Sequence, residues 1–268
     1  MRLFVAAGTR GAAIGLIGVL LCGFVSGKMT WEPGKDPDPQ EILNQAENDA
    51  RAGRYADALA KHVWFHENVL KFDPAMYGVR LSFALSSWKA LADSYPPALE
   101  KLKAERDEAG ANVRAGRVPH QSFHDFAALN HVLGEDGKTR DLFVWLDGNN
   151  PKAATEVFDL AQPALVRARE YGICGKYLDP DRSFRRMLLL REETKNVSTG
   201  GADDRGLRAF ADQSFTNSVT TLIALLVVNE RRADADRIAD QARNAWDEPA
   251  FRDQIEKALK GEVPPPWP

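Results

Sequence analysis

From Asp38 to about residue 260 the chain repeats one pattern, and that pattern constrains the fold more than anything else in it. Apolar residues recur at the spacing of one helix face for roughly 12 to 20 residues. A short turn containing Gly, Pro or Asp follows, and the pattern resumes. Runs of alternating β-branched residues, which a half-buried strand needs, are almost absent. The periodicity predicts an all-α fold with helices over 39–52, 54–72, 75–93, 97–115, 122–133, 137–147, 151–171, 180–193, 206–229, 231–246 and 248–260. The first start is the clearest, with Asp38 as cap, Pro39 at the first helical position and Glu41 where a capping box places its carboxylate. Ten of these helices pair into five antiparallel hairpins, with one closing helix. A hairpin cannot bury its apolar face alone, so neighbours must stack into a continuous core.

Composition is that of a globular chain, 44% hydrophobic and 27% charged over 268 residues. The formal net charge is −3, and the first 27 residues hold Arg2 and Arg10 but no acid, so the remainder is more acidic still. A nucleic-acid binder needs a concentrated basic face, and the chain offers none. The opening segment, "MRLFVAAGTRGAAIGLIGVLLCGFVSGK", runs from basic residues through an uncharged apolar stretch to a small-residue exit at Val25-Ser26-Gly27. This is the order of a secretory signal. Residues 1–27 are therefore expected to be a signal peptide cut after Gly27 or a retained membrane anchor, the only part of the chain to meet a membrane. Either way the body is exported, to the periplasm or the outer face of the membrane. Residues 28–38 form a polar spacer, 39–194 a helical-repeat region, 195–205 a polar glycine-containing loop, 206–260 a C-terminal helical region and 261–268 a proline-rich tail. Of the two cysteines, Cys22 is an apolar filler or a lipid attachment point, although Leu21 precedes it where a small residue belongs. Cys174 reads as a small buried residue.

"AENDARAGRYADALAKH" resembles the helix, turn and helix junction of the tetratricopeptide repeat. Gly53 stands at the tight turn, Tyr55 starts the second helix, Ala58 is the small residue where helices approach, Leu59 lies beside it and Pro74 closes the repeat. The spacing from Gly53 to Pro74 is one helical turn longer than that family's. "LNHVLGEDGKTRDLFVWL" is similar to a second, degenerate copy, and "LLVVNERRADADRIADQAR" to a third without the turn glycine. The resemblance implies a stacked α-solenoid of hairpins that binds a protein or peptide on its concave face.

The candidate binding residues are histidines and one tryptophan. On a wheel of about 100° per residue, His62 and His66 fall within about 20° of Tyr55, at the centre of the apolar stripe. Asp57, Lys61, Glu67, Asn68 and Lys71 form a charged arc on the other side, with Trp64 in its middle. His124 and His131 lie two turns apart on one face of the expected helix 122–133, which Ser122 and Asp125 start in the manner of a capping box. Two imidazoles one turn apart can share a metal ion, but the zincin pattern needs glutamate directly after the first, and Val63 stands there. The histidines are read three ways: as metal ligands in an envelope metal protein or enzyme, as neutral packing residues, or as the lining of a peptide groove. No Ser, Cys, carboxylate-pair or phosphate-loop signature occurs, so no catalytic residue, metal or cofactor is assigned.

Weaker features complete the reading. Pro163 should kink its helix, and "VTTLIALLVV" is too short to span a bilayer and reads as a buried helix. "DPDRSFRRMLLLREETK" gathers arginines for ion pairs or an anionic partner. "PPPWP" is a stiff, polyproline-like segment with one aromatic, able to pack on the last helix or to act as a recognition peptide. Together these features describe an exported helical-repeat scaffold that binds a protein partner. A reporter active only outside the cytoplasm, fused after Trp31, should be active; an inactive fusion in an exporting host would remove the basis for the compartment.

Overall fold

The structure, a computed structural model, describes residues 31–197 and 203–267. The signal or anchor expected at 1–27, the start of the spacer and the middle of the loop expected at 195–205 lie outside the described residues. Those residues form thirteen α-helices and no strand: α1 (Pro39–Arg51), α2 (Tyr55–Phe72), α3 (Tyr77–Leu81), α4 (Phe83–Ser94), α5 (Pro96–Arg114), α6 (Pro119–Val132), α7 (Asp136–Asn149), α8 (Pro151–Arg167), α9 (Tyr171–Tyr177), α10 (Pro180–Asn196), α11 (Asp203–Val228), α12 (Arg232–Ala245) and α13 (Pro249–Ala258). A 3-10 turn, Pro74–Met76, leads into α3. The described residues are all-α, and most helices pack chiefly on a neighbour in sequence, whereas α13 packs on α11.

Two kinds of junction punctuate the chain. In the first, a residue in the left-handed region ends one helix and the next helix starts two residues later. Gly53, Gly134, Arg169 and Glu230 do this with φ of 77°, 70°, 60° and 61°, joining α1 to α2, α6 to α7, α8 to α9 and α11 to α12. Each uses the same pair of backbone bonds. Gly53 N–H reaches Ala50 O while Arg54 N–H reaches Asp49 O, and Glu230 and Arg231 repeat this onto Val227 and Leu226. This Schellman closure satisfies the last carbonyls of the helix. The residue five places after each left-handed position is small and buried: Ala58, Thr139, Cys174 and Ala235. In the second kind, an extended or cap residue precedes a proline at the first helical position, as at Tyr95-Pro96, Asn150-Pro151, Asp179-Pro180 and Glu248-Pro249. Proline suits that position, because its missing N–H would have no intrahelical partner there.

Small residues let the helices approach. A side chain at Gly110 would meet the ring of Phe126 at 2.8 Å, so α5 and α6 pack through that glycine. The main core runs from α5 to α13 around Phe123, Phe143, Phe158, Leu222 and Phe251. A second cluster surrounds Trp88 with Leu59, Val63, Leu85, Leu102 and Leu129.

Four expectations need correction. The helix expected at 75–93 is broken at Ser82, whose backbone (φ −124°, ψ −91°) is not helical, giving α3 and α4. The helix expected at 122–133 starts earlier, at Pro119 after Val118 in a left-handed conformation. Ser122 and Asp125 are thus not its caps: Ser122 Oγ donates to Arg117 O, and Asp125 pairs with an arginine. The helix expected at 151–171 ends at Arg167, and α9 intervenes before α10, so α10 packs chiefly on α11 rather than forming a hairpin with α8. Lys61, placed in the charged arc of α2, is buried against Asp49 of α1 and lies over the Trp31 ring. At the start of α1, Asp38 accepts from the amides of Gln40 and Glu41 as expected, while Glu41 takes a bond from Gln45 one turn on. Pro163 sits inside α8, which runs through it.

Gly53 and Gly137 give a paired test, since neither has an atom near the position of an added Cβ. Gly53 has φ of +77°, so Gly53→Val should destabilise by about 1–3 kcal/mol through backbone strain alone. Gly137, exposed in α7, is helical, and Gly137→Ala should stabilise by about 0.5–1 kcal/mol. Chemical denaturation reads both; equal signs would mean that the left-handed turn is not a constraint.

Candidate functional site

Helix α2 turns the face bearing His62 and His66 inward because Ala58, Leu59, Val63, Phe65 and Val69 share it. The two rings are 2% and 5% exposed and both pack against one indole. His62 stacks on Trp88 at 6.1 Å between centroids, and His66 meets it edge-on at 6.0 Å. His62 Nε2, His66 Nδ1 and Trp88 Nε1 are buried without a hydrogen-bond partner. Each such group costs about 1–3 kcal/mol, a cost the aromatic packing has to offset. Burial pushes the imidazole of His62 down to about 4 and that of His66 down to about 3, the latter helped by the Arg80 cation. Both are neutral at ordinary pH, and burial assigns them to packing, one of the three readings of the sequence.

Arg80 of α3 explains why this cluster has the shape it has. Its Nε donates to His66 O at 2.6 Å, its Nη2 lies 3.2 Å from His66 Nε2, and its two Nη groups grip the Asp125 carboxylate at 2.6 and 2.9 Å. Arginine has no acceptor, so His66 Nε2 accepts and the ring proton sits on Nδ1. A guanidinium against that nitrogen also repels any cation that His66 would have to bind. One turn before Arg80, Tyr77 shares a hydrogen bond of 2.9 Å with His124 Nδ1, and burial lowers the pKa of His124. Thus α3 is bolted to α2 on one side and to α6 on the other.

Beyond that bolt the surface opens into a groove. One end is a cavity of about 700 Å³ between α3, α6, α8 and α10, lined by Tyr77, His124, Asp159, Leu160, Arg182 and Arg186. The other end, of about 330 Å³, continues along α6 and α8 past Leu81, His131, Pro163 and Arg167 to Trp267. His124, Asp159 and Leu160 line both. An ion pair between Arg186 and Asp159 bridges α10 and α8, and Arg167 pairs with Asp136 at 3.3 Å near His131, whose Nδ1 lies 3.5 Å from the same carboxylate.

The residues singled out in the sequence therefore separate. His124 and His131 share the groove, while His62 and His66 are buried away from it. Trp64 is half-buried between Trp31 and Phe72, at 6.3 and 5.4 Å. Gly53, Tyr55, Ala58 and Leu59 build the first junction, with Ala58 fully buried and Tyr55 against Tyr95. Pro74 opens the 3-10 turn and is exposed. Cys174 is buried, and burial pushes its thiol up to about 12, so it packs as a small apolar residue. Among the described residues, no cluster of three or more His, Cys, Asp or Glu is placed to hold a metal ion. The sequence does not single out Tyr77 and Arg80 and offers Asp125 only as a cap, because the contacts that join α3 to α6 span 45 and 47 positions; a lone arginine within an apolar stretch, "YGVRLSF", is the available signal. Set against protein-family models, curated proteins and solved structures, the chain has no significant match.

The buried histidines make stability depend on pH. Unfolded, both titrate near 6.5; folded, they resist protonation until about 4 and about 3. As pH falls below 6.5 the unfolded chain takes protons that the folded chain refuses, so stability is lost, by about 2 kcal/mol per histidine at pH 5. Urea unfolding at pH 7.5 and pH 5 should show this loss, and replacing His62 and His66 with glutamine should remove most of it. An unchanged pH dependence in the double variant would show that other groups carry it.

Proposed function

We propose that this is an exported helical-repeat protein, a solenoid of hairpins similar to tetratricopeptide repeats, which binds a protein or peptide partner in the cell envelope and acts there as a scaffold. Export is supported by the order of basic, apolar and small residues in 1–27. The repeat design is supported by the three segments that resemble the family. Each carries a left-handed residue at the turn, and five places later a small buried residue: Ala58, Thr139 and Ala235. In the third segment Glu230 takes the conformation that glycine has in the other two.

The observation that carries the binding role is the groove. Its long walls come from α6, α8 and α10, with Tyr77 and Leu81 of α3 at one side, so several helices contribute to one open channel. Its lining mixes an apolar floor of Leu81, Ala127 and Leu160 with imidazole, guanidinium, carboxylate and phenol groups. Such a lining orients a polypeptide through polar contacts while the apolar floor excludes water. Charges of both signs along it suit a peptide better than a polyphosphate. His124 is held by Tyr77, and among the described residues no serine or cysteine nucleophile lines the groove, so binding is a better account of this surface than catalysis.

Site-specific photocrosslinking in an exporting host tests the proposal. A crosslinker at Gln121 or Glu156, which line the groove, should capture one envelope protein, and a crosslinker at Glu108, exposed on α5, should not. Replacing His124 and His131 with glutamine should reduce the adduct severalfold. Equal capture from Glu108, or none from the groove, would remove the groove as the binding surface.

A further inference from the structure

The segment after α13, Glu262–Trp267, does not trail into solvent. It lies along α11, and one side chain holds its backbone. Asn217 Nδ2 donates to Pro265 O at 2.8 Å, and Asn217 Oδ1 accepts from Trp267 N–H at 3.1 Å. A carboxamide that pairs with the carbonyl before a residue and the amide after it copies the bonds made by one residue of a parallel strand. It therefore reads an extended backbone and not a side chain. Proline-rich segments suit such a clamp, because they are extended before binding and carry few amides needing partners.

Trp267 is the anchor. Its ring meets Phe210 of α11 edge-on at 6.2 Å and is half-buried. It lines the end of the groove along α6 and α8, and also a neighbouring cavity of about 390 Å³ with Gln213, Trp246 and Gln254. The fit is incomplete, since the indole N–H is buried with no acceptor. An unsatisfied donor of that kind weakens the contact and favours displacement.

We propose that the groove, together with the adjoining α11 surface of Asn217 and Phe210 that Trp267 joins to it, is a site for an extended, proline-rich peptide segment with a tryptophan anchor, presented by a protein partner, and that Val263–Trp267 occupies the α11 part in cis as a displaceable competitor. This rests on the reading of the groove as a protein-binding surface and names the chemistry of its ligand. Asn217 clamps the ligand backbone, Phe210 receives the indole edge, and the apolar floor at Leu160 and Pro163 lies beyond. The chain's own segment holds the end closed until a better-fitting segment replaces it.

The test uses a labelled peptide of the sequence of residues 261–268 and fluorescence anisotropy on the purified full chain. Trp267→Ala, which removes the cis anchor, should bind the peptide saturably, and the unaltered chain should bind it about tenfold more weakly because its own segment competes. Adding Asn217→Leu to Trp267→Ala should lower affinity about tenfold or more, the value of two hydrogen bonds. Phe210→Ser is a second variant at a half-exposed site, expected to weaken binding with helical content unchanged by circular dichroism. No binding by Trp267→Ala, or equal binding with Phe210 replaced, overturns the proposal and leaves the segment as packing for α11. The crosslinking at Gln121 stands apart, since capture there without peptide binding would keep the groove as a binding surface and reject only this ligand chemistry.

Discussion

The interaction on which the rest of the structure depends is the burial of Arg80. A guanidinium removed from water is expensive unless its donors are matched, and here one carboxylate, one carbonyl and one imidazole nitrogen take four of its five N–H groups. Three consequences follow from that requirement. The chain turns at Ser82, so that Arg80 on α3 lies between α2 and α6 while α4 delivers Trp88 to the same histidines. His66 must stay neutral, because a protonated ring would face a cation. Tyr77, one turn earlier on α3, is then carried to His124, which sets the near wall of the groove. Removing one partner leaves a buried uncompensated charge, a loss of about 3–5 kcal/mol in comparable cases.

Other buried cations act in the same way along the array. Lys61 ties α2 to α1 through Asp49; Arg106 of α5 reaches Glu135 ahead of α7; Arg191 of α10 pairs with Asp212 of α11 between the rings of Phe215 and Trp246. Apolar contacts supply most of the burial free energy, but they tolerate sliding of one helix over another. A buried charge with a matching partner on another element does not, so each of these pairs fixes the register of a helix against a neighbour. A groove made from several helices needs that registration, because its shape is the sum of their relative positions.

How much of this was legible in the sequence follows the range of the interaction. Caps and turns are local, so the start at Asp38 and Pro39 and the turn at Gly53 could be read directly. Glu230 could be suspected only by analogy, since nothing in its chemistry announces a positive φ. The break at Ser82 was invisible, because apolar spacing runs through it, and the pairing of Arg80 with Asp125 beside it spans 45 positions. The wheel placed Lys61 with Asp57 and Lys71 in a solvated arc, and an acceptor on another helix moved it inside. The groove mixes both kinds of information: His124 and His131 were visible as a pair on one face, whereas Tyr77, Arg182 and Trp267 join them only through tertiary structure.

One residue type thus has two fates in this chain, decided by what faces it. His62 and His66 look toward Trp88 and Arg80, where water is excluded and only the neutral ring is tolerated, so their polar nitrogens cost stability and serve the packing. His124 and His131 look toward an open channel, beside a phenol and a carboxylate, where a nitrogen can exchange partners without an unfolding cost. Asn217 stands in the second situation on α11, with both ends of its amide engaged by a backbone that is not part of any helix. A buried polar group whose partners are fixed stabilises one structure. A polar group that holds an extended segment of its own chain outside the core is what the proposed recognition requires, because replacing that segment with another would leave the core untouched.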